Sequence, residues 1–400
     1  MSLATGAVIF AMLVAVGCYI CIAHAEKSYI NFASPMLLLQ FPIAYVLEIG
    51  YLQRFDQSAS DFAYLYLYAC LAISNVIFTA SYLLIAPIRM PAIRVSKYPT
   101  HGAAKAWSLL FASAALYAPI LLAHPDLIVR PREIYELTRT GFGLSFFLSS
   151  TLSFLGYAIY LCVGRKNIFE HLVFLIICVF LTLMHGSKGQ LLTYVFIYLI
   201  YKVYIQGFKV GFLKACISGF LATIVLLSLF YYFSVGIDAS DLYDFILAYS
   251  DYNRNGMLII DSNHAPYFGR LLFENEFFTR IPRLFYPDKP KDFGTFELAK
   301  EFFPESFELD QGAPAFGLGF FYADFRGFTI FFLILTSAIS GIITRTAVTA
   351  LKEHKDIAWF VIVLFLSGVA LIPLGAGYLL PEHVVLGILA GIFYRLRFRM

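Results

Sequence analysis

Charge is what this 400-residue chain has least of: Asp, Glu, Lys and Arg together make up 14% of it, against 60% apolar residues. Soluble domains carry about 25% charged residues, so a water-soluble globular chain is excluded. Cysteine is scarce as well. Cys18, Cys21, Cys70, Cys162, Cys178 and Cys216 all lie in or beside apolar stretches and read as small buried hydrophobes. Cys18 and Cys21 have CxxC spacing, but without a second pair the spacing does not make a metal or redox centre. There is no internal repeat and no low-complexity tract. Gly186 and Gly189 stand too close together for a P-loop, and no strand precedes them. The formal charge of +3 comes mostly from short basic loops, so no nucleic-acid partner is expected.

What the chain does have is a series of apolar runs about twenty residues long, each enough to cross ~30 Å of hydrocarbon. They fall near 3–23, 36–53, 62–86, 105–123, 141–163, 168–184, 189–205, 211–235, 315–344, 357–373 and 382–394. The expected fold is an all-α polytopic integral membrane protein with about eleven transmembrane helices, ten to twelve. One membrane domain covers 1–400, with a long outer loop, 236–314, that contains short helices. The second span is the weakest, because it carries Pro42 and Glu48. Ala23-His24-Ala25 follows an apolar core as a signal-peptidase site would. No Lys or Arg precedes that core, so the helix is expected to be retained.

Basic residues in short loops mark the cytoplasmic side. Arg89, Arg94 and Lys97, Arg165 and Lys166, Lys202, Lys209 and Lys214, Arg345, Lys352 and Lys355, and Arg395, Arg397 and Arg399 all fall on one side of an eleven-span arrangement. Loops 124–140, 185–188, 236–314 and 374–381 then face outward.

Removing the inner charges leaves an outer set that runs against the usual bias: Arg130, Arg132, Arg139, Lys188, Arg254, Arg270, Arg280, Arg283, Lys289, Lys291 and Lys300. A long loop translocates whatever its charge, so any one of these can be a plain solvated cation. As a set spread over three loops they point to an anionic ligand. In His185-Gly186-Ser187-Lys188-Gly189 the glycines open backbone shapes that free amides for an anion, with Lys188 beside them; an interfacial lysine reaching for water is the alternative. In loop 124–140, Arg132, Glu136 and Arg139 pair at helical spacing, leaving Arg130 the less accounted for. The long loop opens with an amphipathic helix: Leu242, Phe245, Ile246, Tyr249, Gly256 and Ile260 share one face. Asp241, Asp244, Asp251 and Asn255 line the other, with Arg254 one turn from Asp251. Asp251 or His264, with Glu276 behind them, is a candidate general base.

The stretch 280–292, RIPRLFYPDKPKD, is the most concentrated charged island. Its three prolines exclude helix through most of it, so it is expected to be a braced, extended loop presenting Arg280, Arg283, Lys289 and Lys291. Gly312-Ala313-Pro314 and Gly317 to Gly319 mark re-entry into the membrane, where small residues let helix backbones approach. Asp324 and Arg326 follow and are placed to pair.

In this layout the chain resembles the Wzy-type polymerases of bacterial polysaccharide repeat units. The likeness lies in the GSKG turn between two spans, the IPR…DKP run at 281–290 and the GAPAFGLGFFYADFRG segment at 312–327. It covers nearly the whole length in layout but only these short motifs in sequence. An arginine and a glycine ten residues apart, described for some members, recur at Arg130–Gly141 and Arg283–Gly294, a spacing this composition also produces by chance. The resemblance implies a GT-C-like fold in the bacterial inner membrane and an active site facing the periplasm. It also implies O-antigen or related glycan units on undecaprenyl pyrophosphate as substrate, with a chain-length regulator protein as a further partner. Where the family's turn usually carries arginine this chain has Lys188, which keeps the charge and loses bidentate phosphate recognition.

On that reading a sugar hydroxyl of one unit attacks the anomeric carbon of the growing chain, and lipid pyrophosphate departs. Arg283 leads the expected diphosphate-binding set, with Arg280, Lys289, Lys188 and Arg130, and Arg254 and Arg270 beside them. No DxD-like metal pair lies outside and the carrier already bears a leaving group, so no metal and no cofactor are expected. A ligase that moves finished glycan to lipid A, and a lipid-linked glycan transporter, are the alternatives. A transporter predicts charges at mid-membrane, whereas these gather on one side.

Overall fold

The computed structural model describes residues 2–35, 41–90, 102–125, 143–163, 167–186, 188–221, 243–244, 246–247, 250–262, 264–281, 285–308, 314–367, 387 and 389–393. Arg130, Arg132, Glu136, Arg139 and Arg283 lie outside the described residues, as do the side chains of Lys188 and Arg280.

Among the described residues the chain is helical, without strands. Helix α1, Leu3–Glu26, is followed by a π-helical turn, Pro42–Val46, that runs into α2, Leu47–Arg54; α3 is Asp61–Leu84. Then come α4, Gly102–Ala123, α5, Gly143–Leu161, α6, Ile168–Met184, and α7, Lys188–Ile200, which ends in a second π-helical turn, Tyr201–Ile205. Helix α8 is the apolar Phe212–Leu221. The long-loop region supplies α9, Asp251–Asp261, α10, Arg270–Arg280, α11, Thr295–Phe302, and α12, Pro304–Glu308. Re-entry is made by α13, Gly319–Phe325, then α14, Thr329–His354, and α15, Ile357–Leu366. Four runs are long and apolar enough to cross a membrane: Leu3–Glu26, Asp61–Leu84, Gly102–Ala123 and Gly319–His354. Ser145–Leu161, Ile168–Met184, Leu191–Ile205, Phe212–Leu221 and Ile357–Leu366 are shorter apolar helices.

Local chemistry starts these helices where they start. Ser2 accepts from the Thr5 amide, Ser60 from Ala63, Asn167 from Phe169 and Asp356 from Ala358, each satisfying an amide that the first helical turn leaves over. Helix α1 ends at Lys27, which takes the left-handed conformation.

Helices α1 and α3 pack along each other, as do α3 and α14, and α4 and α5. The α3–α14 contact is a backbone contact: a Cβ at Gly341 would stand 2.6 Å from the Phe78 carbonyl oxygen. The two largest apolar clusters lie at opposite ends of the bundle. One joins Tyr19, Ile22, Phe78 and Tyr82 to Tyr204, Leu351 and Phe360. The other joins Ala4, Ala11, Ala63 and Tyr64 to Met257, Leu271, Leu298 and Phe316, which brings the long-loop helices onto the opposite end.

The first end holds a buried carboxylate that sequence pattern does not single out. Glu26 accepts from the hydroxyls of Tyr82 at 2.6 Å and Tyr204 at 2.9 Å. Lys352 Nζ lies 2.8 Å from it and Arg345 at 4.0 Å. One acid thereby ties α1, α3, α14 and the turn after α7 together, on the side where basic residues gather.

Candidate functional site

The opposite end is built around α9. Its buried face carries Asn253, Gly256, Met257, Ile259 and Ile260, in agreement with Gly256 and Ile260 on the expected apolar face; Leu242, Phe245 and Tyr249 lie outside the described residues. Asn253 donates to the Ala44 carbonyl at 3.0 Å and to the Tyr68 hydroxyl at 3.1 Å, and Tyr68 donates to the same carbonyl at 2.8 Å. That carbonyl belongs to the π-helical turn before α2, a local widening often found at functional positions. The other side of α9 is fixed by Asp261, which accepts from the amide of Ser60 at 2.7 Å and from its hydroxyl.

The contact of α9 with the re-entry segment depends on paired glycines. A Cβ on Gly256 would fall 2.7 Å from the Phe316 carbonyl oxygen and 3.1 Å from the Gly319 amide nitrogen. The small residues near 317–319 do let backbones approach, and their partner is Gly256. Gly256→Val is expected to cost about 1–3 kcal/mol of stability through overpacking. By tilting α9 it should also cost up to about 10²-fold in activity. Thermal unfolding in detergent and an initial-rate assay, run on the same preparation, check both.

Asp251, Arg254 and Glu48 meet where α2, α3 and α9 converge. Arg254 pairs with Asp251, and its guanidinium lies 3.6 Å from the centre of the Tyr51 ring, a cation–π stack. Burial raises the Asp251 pKa above the usual carboxylate range, and Arg254 pulls it partly back. Glu48 is fully buried. Its Oε1 accepts from the Tyr64 hydroxyl at 2.8 Å, while its Oε2 has no hydrogen-bond partner among the described residues. In the sequence Glu48 reads only as a weakness of the second span; an acid inside an apolar run was the signal available.

A second group of candidates surrounds Tyr267. The His264 ring lies 5.6 Å from the Tyr267 ring, and the Arg270 guanidinium lies 4.9 Å from its centre. Tyr267 donates to Glu301 at 3.1 Å, and burial, followed by the charge of Glu301, pushes its pKa up to about 12. His264 Nδ1 stands 2.7 Å from the Ala265 carbonyl, while its buried Nε2 has no hydrogen-bond partner among the described residues. With the proton on Nδ1, Nε2 is left as an acceptor, which suits a base. Arg270 is committed to Glu297 at 2.6 Å and Glu274 at 3.3 Å.

Asp324 and Arg326 take separate partners. Asp324 accepts from the amides of Leu271 at 3.1 Å and Leu272 at 2.7 Å, capping α10 from a distant part of the chain. Arg326 donates to the carbonyls of Ser262, at 2.9 Å, and His264. Both charges therefore brace the loop carrying His264 and the start of α10.

The 280–292 stretch is non-helical over its described residues beyond Arg280, which ends α10. Lys289 donates to the Ile281 carbonyl at 3.2 Å and lies 4.9 Å from the Phe293 ring centre, so it braces its own loop. Lys300 pairs with Asp292 at 2.6 Å and holds its carboxyl below the usual range. Gly294 has φ +55°, and a Cβ there would stand 2.7 Å from Asn275 Cβ, so this position requires glycine. At the other turn, Gly186 has φ +66°. His185 there stands 3.1 Å from the Ser149 hydroxyl.

The candidates thus form two groups, Asp251 with Arg254 and His264 with Arg270, while Lys289 holds the Ile281 carbonyl. No group of three or more His, Cys, Asp or Glu placed to hold a metal occurs among the described residues.

No family profile matches the sequence, and no solved structure matches it. Two curated proteins do, the O-antigen polymerases of Salmonella typhimurium strain LT2 and of Salmonella typhi. Each is 33% identical over 365 residues, spanning 90% of this chain and 88% of the relative. With that identity over nearly the full length of both proteins, the chain belongs to the O-antigen polymerase family.

Proposed function

We infer that this chain polymerises O-antigen repeat units, as a membrane glycosyltransferase acting on an undecaprenyl-pyrophosphate-linked donor at the periplasmic end of its helix bundle. The observation that carries the reading is the 33% identity to O-antigen polymerases across 90% of the chain. The apolar helices fit a multi-pass membrane enzyme. The periplasmic orientation is supported by charge: Glu26, Arg345, Lys352 and the helix-ending Lys355 cluster at the end away from α9 to α12. Eleven spans in a GT-C-like arrangement belong to the same proposal, as does a chain-length regulator as partner.

In the reaction an acceptor hydroxyl attacks the anomeric carbon of the growing chain, and the sugar–phosphate bond breaks toward undecaprenyl pyrophosphate. Positive charge develops on the sugar and negative charge on the departing diphosphate. Fixed cations stabilise that separation best where water is excluded. Arg283 is the first choice, with Arg280, Lys289, Lys188 and Arg130 after it. Arg254 and Arg270 are each already paired with carboxylates, which suits them to shaping the site. A general base adds about 10²–10⁴-fold, and Asp251 and His264 are the candidates that the long loop offers.

Purified protein given a lipid-linked repeat unit tests this. A ladder of products differing by one unit is expected. Transfer only to lipid A would make the chain a ligase, and movement of the unit across the bilayer without a new bond would make it a transporter.

A further inference from the structure

The acid-rich group at Glu48 has a chemistry that diphosphate binding does not use. Two carboxylates, Glu48 and Asp251, surround one guanidinium, Arg254. With both acids ionised the group is net negative and repels a diphosphate. Neutral hydroxyls, which donate to carboxylates, suit it better. Exposure falls along the group: the Asp251 side chain is 54% exposed, Arg254 13%, and Glu48 0%. At its inner end Glu48 Oε1 is satisfied by Tyr64, and Oε2 has no hydrogen-bond partner among the described residues. Ser250, whose hydroxyl donates to the Leu247 carbonyl, and the charged Arg254 and Asp251 face it from α9 and its approach. A buried carboxylate oxygen without a donor is costly, and an acid kept within an apolar run points to function. Tyr51 adds an aromatic face beside Arg254.

We propose that this group is the acceptor site of the polymerase, where Glu48 Oε2 receives the proton of the attacking sugar hydroxyl. The proposal rests on the glycosyl-transfer reading above and gives the acceptor a place of its own, apart from the cations that receive the diphosphate. As the acceptor oxygen bonds to the anomeric carbon, its proton passes to Glu48. The electron pair of the broken sugar–phosphate bond leaves with undecaprenyl pyrophosphate, so no oxidant, metal or further reactant enters. Asp251 and Arg254 orient the acceptor at the mouth, and Tyr64 holds the carboxylate that takes the proton.

Glu48→Gln tests the proposal, because the amide oxygen can still accept from Tyr64. With purified protein and a lipid-linked repeat unit, chain extension should fall by at least about 100-fold, with unchanged thermal stability and loss of the acid limb of the pH–rate profile. Extension within threefold of the parent overturns the proposal. If Glu48→Gln does not fold, Tyr64→Phe decides. It removes one hydrogen bond that favours the ionised carboxylate, so the acid limb should move to higher pH; an unmoved limb overturns the proposal. A parent protein that makes no ladder would remove the polymerase reading and this inference together. A ladder from both parent and Glu48→Gln removes the inference alone.

Discussion

Arg283→Ala is expected to lower chain extension by about 10²–10³-fold, the range for losing one preorganised donor at a developing oxyanion, while protein abundance stays the same. The reason for choosing Arg283 lies in what surrounds it. Pro282 precedes it and two more prolines follow within the 280–292 island, each fixing its own φ. Its described flanks are braced: Lys289 holds the Ile281 carbonyl, Lys300 holds Asp292, and Gly294 sits tightly against Asn275 on α10. Arg270 and Arg254, the long-loop arginines with described side chains, are already paired with acids, which makes the island the place to expect a cation for the diphosphate. Arg283→Lys should fall between parent and alanine, because an ammonium keeps the charge but not the two-pronged contact. The readouts are initial rate and product-length distribution at matched protein levels. Normal chain lengths in Arg283→Ala would remove the residue from the site.

At the other end, Glu26→Ala is expected to be the most destabilising substitution in the bundle. It leaves the buried hydroxyls of Tyr82 and Tyr204 without their acceptor, at about 1–3 kcal/mol each. Lys352 loses its partner too, but its side chain is 40% exposed and can turn to water, which limits its share. A total of roughly 2–6 kcal/mol follows. Glu26→Gln keeps one acceptor and should lose less. Thermal unfolding in detergent gives the order parent, glutamine, alanine; equal stability of all three would show that Glu26 does not tie α1, α3 and α14 together.

The fold was legible where its physics is repetitive. Runs of twenty apolar residues announce helices α1, α3, α4 and α14 directly, because a bilayer leaves the backbone no other way to satisfy itself. The prolines announce the end of α10 near Arg280 just as plainly. Long-range partners were not legible. Gly256 and the glycines at 317–319 each showed in the pattern, but not that one helix would rest on the other. Asp324 and Arg326 were expected to pair by charge alone. In the fold, the unsatisfied amides at the start of α10 claim the acid, and two loop carbonyls claim the arginine, since such groups must find partners when buried. Glu26 lies just past the first apolar run and Glu48 showed only as a weakness of the second, because only the folded chain supplies the tyrosines that explain them. The Arg254–Asp251 pair was visible from its spacing; its position next to Glu48 was not.

The location of the chemistry is best tested by photocrosslinking a diazirine-bearing undecaprenyl-pyrophosphate repeat unit to the purified protein and sequencing the labelled peptides. Label should fall on α2 and on the 250–308 region, and competing unlabelled unit should remove it. Competable label on 27–35, 202–214 or 345–356 would instead put the substrate at the basic end, and the proposed periplasmic site would be wrong.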